Sequence, residues 1–282
     1  MREHGLTQSI DYLMIGHLTA DQTATGKRLG GTATFSALTA QALGLRVGVV
    51  TSWANDLDLG KLGEIPICNN LAEFSTTFEN IYTHNGRTQR VYHVANPLEY
   101  YQIPEAWRSA PIVHLGPVAQ EVDPSIVRKF STSMIGITPQ GWVRAWDKHG
   151  NVGLGEWPEA RFVLEKSSAA VLSIHDLHGD EDRIEEMVNY CQVLVVTEGQ
   201  AGCRVYWNGD IRRFRPPEVN EIDPTGAGDI FAAAFFVRLY STRDPWEAAR
   251  FATQLAAFSV TKPGLDGIPT PEDINKSMAE IL

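Results

Sequence analysis

The chain has 282 residues, enough for one large or two small domains. Its 43% hydrophobic and 21% charged residues exclude a disordered chain, and 24 glycines without a Gly-X-Y period exclude a collagen-like one. The formal charge of −10 opposes nucleic acid as a partner but leaves open a small anion held by backbone N–H groups.

Cys68, Cys191 and Cys203 form neither a disulfide framework nor a CxxC pair, which suits a reducing cytoplasm. The apolar patch Tyr12 to Ile15 is too short for a signal peptide, and Phe231 to Val237 falls far below the ~20 residues of a membrane span. The expectation is a soluble intracellular protein without a membrane partner.

In chain order, Tyr12 to Ile15 reads as a buried strand ending at Gly16. Thr32 to Leu43 has helical spacing and is closed by Gly44, and Val47 to Val50 is the next strand, which completes a βαβ unit. Phe74 to Val94 breaks the rhythm with a hairpin around Asn85-Gly86. Strands then follow at Ile112–Leu115, Met134–Ile137, Ala169–Leu172 and Val193–Val196, with a helix over Asp182–Tyr190. Asn208-Gly209 predicts a second hairpin. Ala227 to Tyr240 is apolar on nearly all faces and reads as a buried helix, and Asp244-Pro245 opens another that runs to about Thr261. Alternation of this kind predicts a mostly parallel sheet covered on both faces.

The chemistry concentrates in Asp223-Pro224-Thr225-Gly226-Ala227-Gly228-Asp229, immediately before the buried helix. Glycines let the backbone turn, and the helix start adds free N–H groups and a positive dipole end, so the segment reads as an anion hole. Asp229 at its mouth is placed to take a proton from a hydroxyl attacking a bound phosphoryl group. The plainer alternative is a glycine turn that merely starts a helix, with Asp229 as its cap. A dinucleotide fingerprint is disfavoured because Phe231 stands where its third glycine would be, and no GxxxxGK[ST] loop is present.

Residues 223–229 resemble the second signature, Asp-Thr-x-Gly-Ala-Gly-Asp, of the ribokinase/PfkB carbohydrate kinase family. Gly16 with Asp21, Gly30-Gly31, Val195 to Gly199 with Gly202, and Ala248 to Pro269 resemble other parts of that family. The resemblance implies one Rossmann-like three-layer α/β sandwich over residues 1–282, with a small β-lid from about 17–29 and 74–97. It implies an ATP-dependent kinase, with Mg²⁺ bridging the phosphates and a sugar or polyol as acceptor. Asp229 would be the base, and the N–H groups of Gly226, Ala227 and Gly228 would form the anion hole. Asp21, Gly30, Gly31 and Thr34 would hold the substrate, joined by Gln140 and Arg144 at a strand end where open α/β sheets bind ligands. Ser173, Thr197, Gly199, Gly202, Thr225, Thr253 and Gly264 would line the nucleotide, and Asp176 would reach the metal through water. Pairing of two lids would give a homodimer.

Several positions depart from the family pattern. Pro224 removes a backbone donor, Thr34 and Thr253 stand where Asn is usual, and Ser173 replaces the amide of the Asn-x-x-Glu motif while Asp176 keeps its carboxylate. These changes resemble the inositol-kinase-like branch. A nucleoside kinase of the same fold, or a ligand-binding protein without catalysis, are the alternatives. Smaller signals are read mainly as structural. His175 to Asp180 is a loose metal pattern, Asp56 and Asp58 form an incomplete calcium loop, and Arg87 with Arg90 either sit on a solvated strand face or reach a substrate anion. Trp142 and Trp146 read as core filler or as a wall for a ligand's apolar face.

Overall fold

A computed structural model describes residues 4–23, 26–83 and 86–279. Strand β1 (Tyr12–Ile15) leads into the pair β2 (Thr19–Thr23) and β3 (Gly26–Gly30), then helix α1 (Thr32–Ala42) and strand β4 (Val47–Thr51). After β5 (Ile67–Asn69) come the long strands β6 (Thr76–Thr83) and β7 (Gly86–His93), then β8 (Ile112–Leu115) and β9 (Met134–Ile137). A hairpin of β10 (Arg144–Trp146) and β11 (Val152–Leu154) precedes α2 (Ala160–Lys166), β12 (Ala169–Ser173), α3 (Glu181–Val188) and β13 (Val193–Thr197). The chain ends with β14 (Cys203–Trp207), β15 (Asp210–Phe214), α4 (Ala227–Thr242), α5 (Pro245–Ser259) and α6 (Pro271–Ala279).

Nine strands form one sheet in the order β15-β14-β13-β12-β9-β8-β1-β4-β5. It is parallel from β13 through β5, while β14 and β15 add antiparallel at the other edge. The strands are short apolar runs because both faces are covered, and successive side chains divide between two cores. Tyr12, Met14, Val47, Val49, Val171 and Val195 pack beneath α1, α4 and α5. Leu13, Ile15, Val50, Val113, Leu172 and Val196 pack on the side of α2 and α3.

Local signals account for several boundaries. Asn208 (φ 52°) and Gly209 (φ 81°) are both left-handed, as a two-residue hairpin between β14 and β15 requires. The Asp244 carboxylate accepts from the N–H groups of Trp246 and Glu247 at 2.8 and 3.3 Å, capping α5. That helix closes at Ser259, two residues before the expected end. The predicted turn residue Asn85 lies outside the described residues, but β6 and β7 pair antiparallel as its hairpin requires. Strand β5 and the β10–β11 hairpin carried too few apolar residues to be legible in the sequence.

A second sheet, in the order β3-β2-β6-β7, lies within segments 17–29 and 74–97 apart from its Gly30 end. Its inward Phe78 and Val91 pack on Val118, Ala119 and Val152. Among the described residues no helix is long and apolar enough to cross a membrane.

Helix α4 is the packing centre, with Phe231, Phe235 and Phe236 buried. Phe236 reaches the sheet because β9 has no side chain at Gly136, where a Cβ would stand 2.6 Å from the ring. The buried His114 meets the same ring edge-on at 4.9 Å and bonds Tyr12 Oη at 2.7 Å and Thr138 Oγ1 at 2.9 Å. Burial pushes the His114 imidazole down to about 3, so it is neutral. Gly136→Ala should overpack this contact and cost about 1–3 kcal/mol, read as a lower urea midpoint, with Phe236→Leu in the same chain recovering part of the loss.

Candidate active site

The C-terminal ends of the parallel strands and the starts of α1 and α4 meet around one cavity of about 790 Å³. Its floor is the turn into α4. Asp223 builds that turn from its side chain, with Oδ1 accepting from Thr225 N–H and Oδ2 from Gly264 N–H, each at 2.9 Å. Against the upward pull of burial, these bonds and the charge of Arg28 hold Asp223 below the usual carboxylate range. Gly226 takes φ +80° as the helix cap, and a Cβ there would overlap the Phe35 ring. Only glycine meets both demands.

Of the three amides expected to form an anion hole, one is engaged within the turn. Ala227 N–H donates to the Pro224 carbonyl at 3.2 Å. Among the described residues, the N–H groups of Gly226 and Gly228 find no protein acceptor. The space where a Cβ of Gly228 would lie is open.

Asp229 lines the same cavity one residue further along α4. Its carboxyl is pushed up to about 6, chiefly by burial. A hydrogen bond from Thr32 opposes the shift, Asp176 and Asp21 reinforce it by repulsion, and Arg144 opposes it by attraction. Thr32 starts α1 after Gly31 (φ +87°), whose Cβ would press on the His17 carbonyl at 2.8 Å.

On the side of the second sheet the wall includes Asp21, Gly31, Phe78, Asn80, Gln89 and Arg144. Thr19 Oγ1 donates to Asp21 at 3.2 Å. Arg144 Nη1 donates to the Val118 carbonyl at 3.0 Å, and the guanidinium stands 5.5 Å from the centre of the Phe78 ring. Val118 is itself held by Glu121, a buried carboxylate that accepts from the N–H groups of His17, Val118 and Ala119. Gln140 also lines the cavity, but its amide donates to Asp176 Oδ1 at 3.0 Å. Asp176 Oδ2 accepts from Ser173 N–H at 2.9 Å, so this carboxylate closes a short 3-10 turn and faces the cavity at once.

Two substrate-side expectations are not met. Thr34 is fully buried, and its hydroxyl donates to the Gly30 carbonyl at 2.6 Å. Gly30 is off the cavity wall, and its missing side chain makes room for the Asp21 carboxylate. Thr32, two residues before Thr34, is the threonine that reaches the site. Its position right after the diglycine, at a helix start, was the signal that could have found it.

On the opposite side Ser173, Thr197, Gly199, Gly202, Thr225 and Thr253 line the cavity. Gly264 does not, since it serves Asp223 instead. Thr253 donates its hydroxyl to the Ala249 carbonyl at 2.7 Å and sits 3.5 Å from Cys203 Sγ. Further residues lining this half are Pro216, Val219, Ala256, Ala257 and Val260, the last three within the 248–269 segment singled out in the sequence, and they make it apolar. Glu218 and Glu221 stand at its rim.

A nucleotide fits the apolar slot and the two free amides. Magnesium fits less directly, because among the described residues no three His, Cys, Asp or Glu side chains form a metal-holding group. Asp176 suits an ion that keeps most of its waters. Trp142 belongs to the core, stacked on Trp157 at 5.3 Å. Arg90 donates to the His149 carbonyl, and Arg87's side chain lies outside the described residues.

A carboxyl near 3.8 when unfolded and near 6 when folded binds more protons in the native state across that interval. Stability therefore falls as pH rises from about 4 to 6 and stays reduced above. Asp229→Asn should remove this loss, unfolding at higher temperature than the parent at pH 8, by of order 1–3 kcal/mol, and at a similar temperature near pH 3.5.

Residues 159–272 match the profile of the pfkB family carbohydrate kinase. Inositol 3-kinase of Zea mays is 30% identical over 201 residues, covering 69% of this chain and 51% of that protein. The chain thus spans about half the length of that relative. Cytidine kinase of Thermococcus kodakarensis is 24% identical over 270 residues, covering 88% of this chain and 95% of that protein. A pyrophosphate-dependent kinase in the ribokinase family, solved with a pyrophosphate analog and myo-inositol, superposes with a TM-score of 0.76 at 19% identity, over 94% of this chain and 99% of that one. The architecture is accordingly the ribokinase fold, and residues 159–272 carry the match to the pfkB family of carbohydrate kinases.

Proposed function

We propose that this protein transfers the terminal phosphoryl group of ATP to a hydroxyl of a small neutral sugar or polyol. The observation that carries the reading is the pairing of Asp229 with the free Gly226 and Gly228 amides on one cavity floor. The acceptor oxygen forms a bond to the terminal phosphorus, and the bond from that phosphorus to the bridging oxygen breaks. The hydroxyl proton passes to Asp229, and ADP leaves with the bridging oxygen. The two amides stabilise charge on the transferred oxygens. Arg144 favours the ionised base, and Thr32 orients it. Magnesium, bound near Asp176 through water, would neutralise the donor phosphates.

The acceptor half supports a neutral ligand. Asp21 and Asp229 outweigh the single guanidinium of Arg144, so a phosphate or carboxylate on the acceptor would meet net repulsion. Asn80, Gln89 and the carboxylates suit hydroxyl groups, and Phe78 offers a flat apolar face to ring C–H bonds. The donor half supports a nucleoside over bare pyrophosphate. Ala256, Ala257, Val260 and Val219 suit a planar base, and no Lys or Arg lies among the described residues lining that half. Such an enzyme works in the cytoplasm, where ATP is supplied. Phe74, Ile81, Tyr92 and Val94 remain exposed on the second sheet and its flanks, which supports pairing of two copies there.

The test is a turnover matrix of ATP and pyrophosphate against myo-inositol, fructose, ribose and cytidine. ATP with a cyclic polyol or sugar should give the highest kcat/KM. Best turnover with cytidine would move the acceptor to nucleosides, and ligand binding without turnover in any pairing would overturn the kinase reading. Asp229→Asn should lower kcat by about 10²–10⁴-fold with ATP binding little changed. The acid limb of the kcat/KM profile should have its midpoint near pH 6, since the base works only when ionised. Arg144→Met should move that midpoint upward by removing the attraction that favours the ionised form.

A further inference from the structure

Arg28 on β3 stands directly opposite Asp21 on β2. Opposed residues on paired strands share a face, so Arg28 leaves the second sheet on the side that Asp21 turns to the cavity. Its side chain crosses the gap to the segment after α5, where a Cβ on Gly264 would overlap its Nη2. Its charge also helps keep Asp223 ionised. Among the described residues the guanidinium makes no hydrogen bond and no ion pair within 4 Å, whereas the neighbouring Lys27 is tied to Asp56 at 2.8 Å. Arg28 thus meets the two residues that shape the donor turn. Gly264 N–H donates to one oxygen of Asp223, and the other oxygen accepts from Thr225 N–H, next to Gly226.

We propose that Arg28 is a positioning residue that couples the second sheet to the anion-binding turn. With the sheet seated, the guanidinium lies on the Gly264 backbone and reinforces the negative charge of Asp223, which grips the turn through Thr225. When the sheet lifts away, that charge is withdrawn and the Gly226 and Gly228 amides lose their fixed aim. The donor end is therefore ordered only while the acceptor side is covered, which restrains transfer to water. The use of this coupling in binding a nucleotide rests on the function proposed above; the coupling itself does not.

Two measurements test it on the full-length protein, using Arg28→Gln, Arg28→Lys, Gly264→Ala and the double variant Arg28→Gln/Gly264→Ala. In ligand-free protein, amide hydrogen exchange over 222–228 should quicken by about 5-fold or more in Arg28→Gln, at an unchanged melting temperature. Calorimetry with magnesium AMP-PNP should show Kd raised by about 5–20-fold in Arg28→Gln and largely recovered in Arg28→Lys. The double variant should be no weaker than the weaker single one, because both changes break one contact. Unchanged exchange over 222–228 in Arg28→Gln, or additive effects of the two substitutions, would overturn the proposal. Faster exchange in a protein that binds no AMP-PNP would keep the coupling and overturn the nucleotide reading instead.

Discussion

A carboxylate on the first turn of a helix whose N-terminal half is otherwise apolar and buried from Ile230 to Phe236 is the constraint that organises this molecule. Helix α4 packs against the sheet, α1 and α5, so its start opens to solvent only through the cavity. The free amides of a helix N-terminus and the charge of Asp229 therefore face the same space. Burial works against that charge and raises its pKa to about 6. The carboxyl remains mostly ionised at neutral pH, yet it holds a proton far more readily than an exposed aspartate. For a group that must accept a proton during a reaction, that intermediate state is useful.

The surroundings tune this balance with few charges. Thr32 and Arg144 favour the ionised form, while Asp176 and Asp21 oppose it. The core behind the site adds no further charge, since Tyr12, His114 and Thr138 satisfy one another as neutral groups. Glu121 is buried as well, but backbone N–H groups hold it, and through Val118 it fixes the carbonyl that anchors Arg144. The polar network beneath the cavity thus positions the few charged groups at its surface.

Two glycines show how close approach sets the site. Gly226 lets α1 press Phe35 under the turn into α4, and Gly136 lets Phe236 lie against the sheet. Together they bring the start of α4 near the strand ends, where Thr197 and Ser173 line the cavity. Asp223 then ties the turn to Gly264, so this part of the cavity floor depends on a residue far along the chain.

Features governed by a few consecutive residues were determined by the sequence alone. These include the glycine turn before a buried helix, Asn208-Gly209 with its paired positive φ values, the Asp244-Pro245 cap, and the strand and helix alternation that implies a parallel sheet. Turn chemistry and hydrophobic period act within a turn or two of chain, so they can be read locally. Only the tertiary structure decided which polar groups reach the cavity. It placed Thr32 there and Thr34 in the core, gave the Ala227 amide to Pro224, joined Gln140 to Asp176, and assigned Gly30 and Gly264 to supporting other residues. It also brought Pro216, Val219, Ala256 and Val260 to line one cavity. Several of these outcomes hang on partners far apart in the chain, and the rest on nearer neighbours. Which hydroxyl or amide faces a cavity follows from how helices and sheets stack, and no short pattern of residues encodes that stacking.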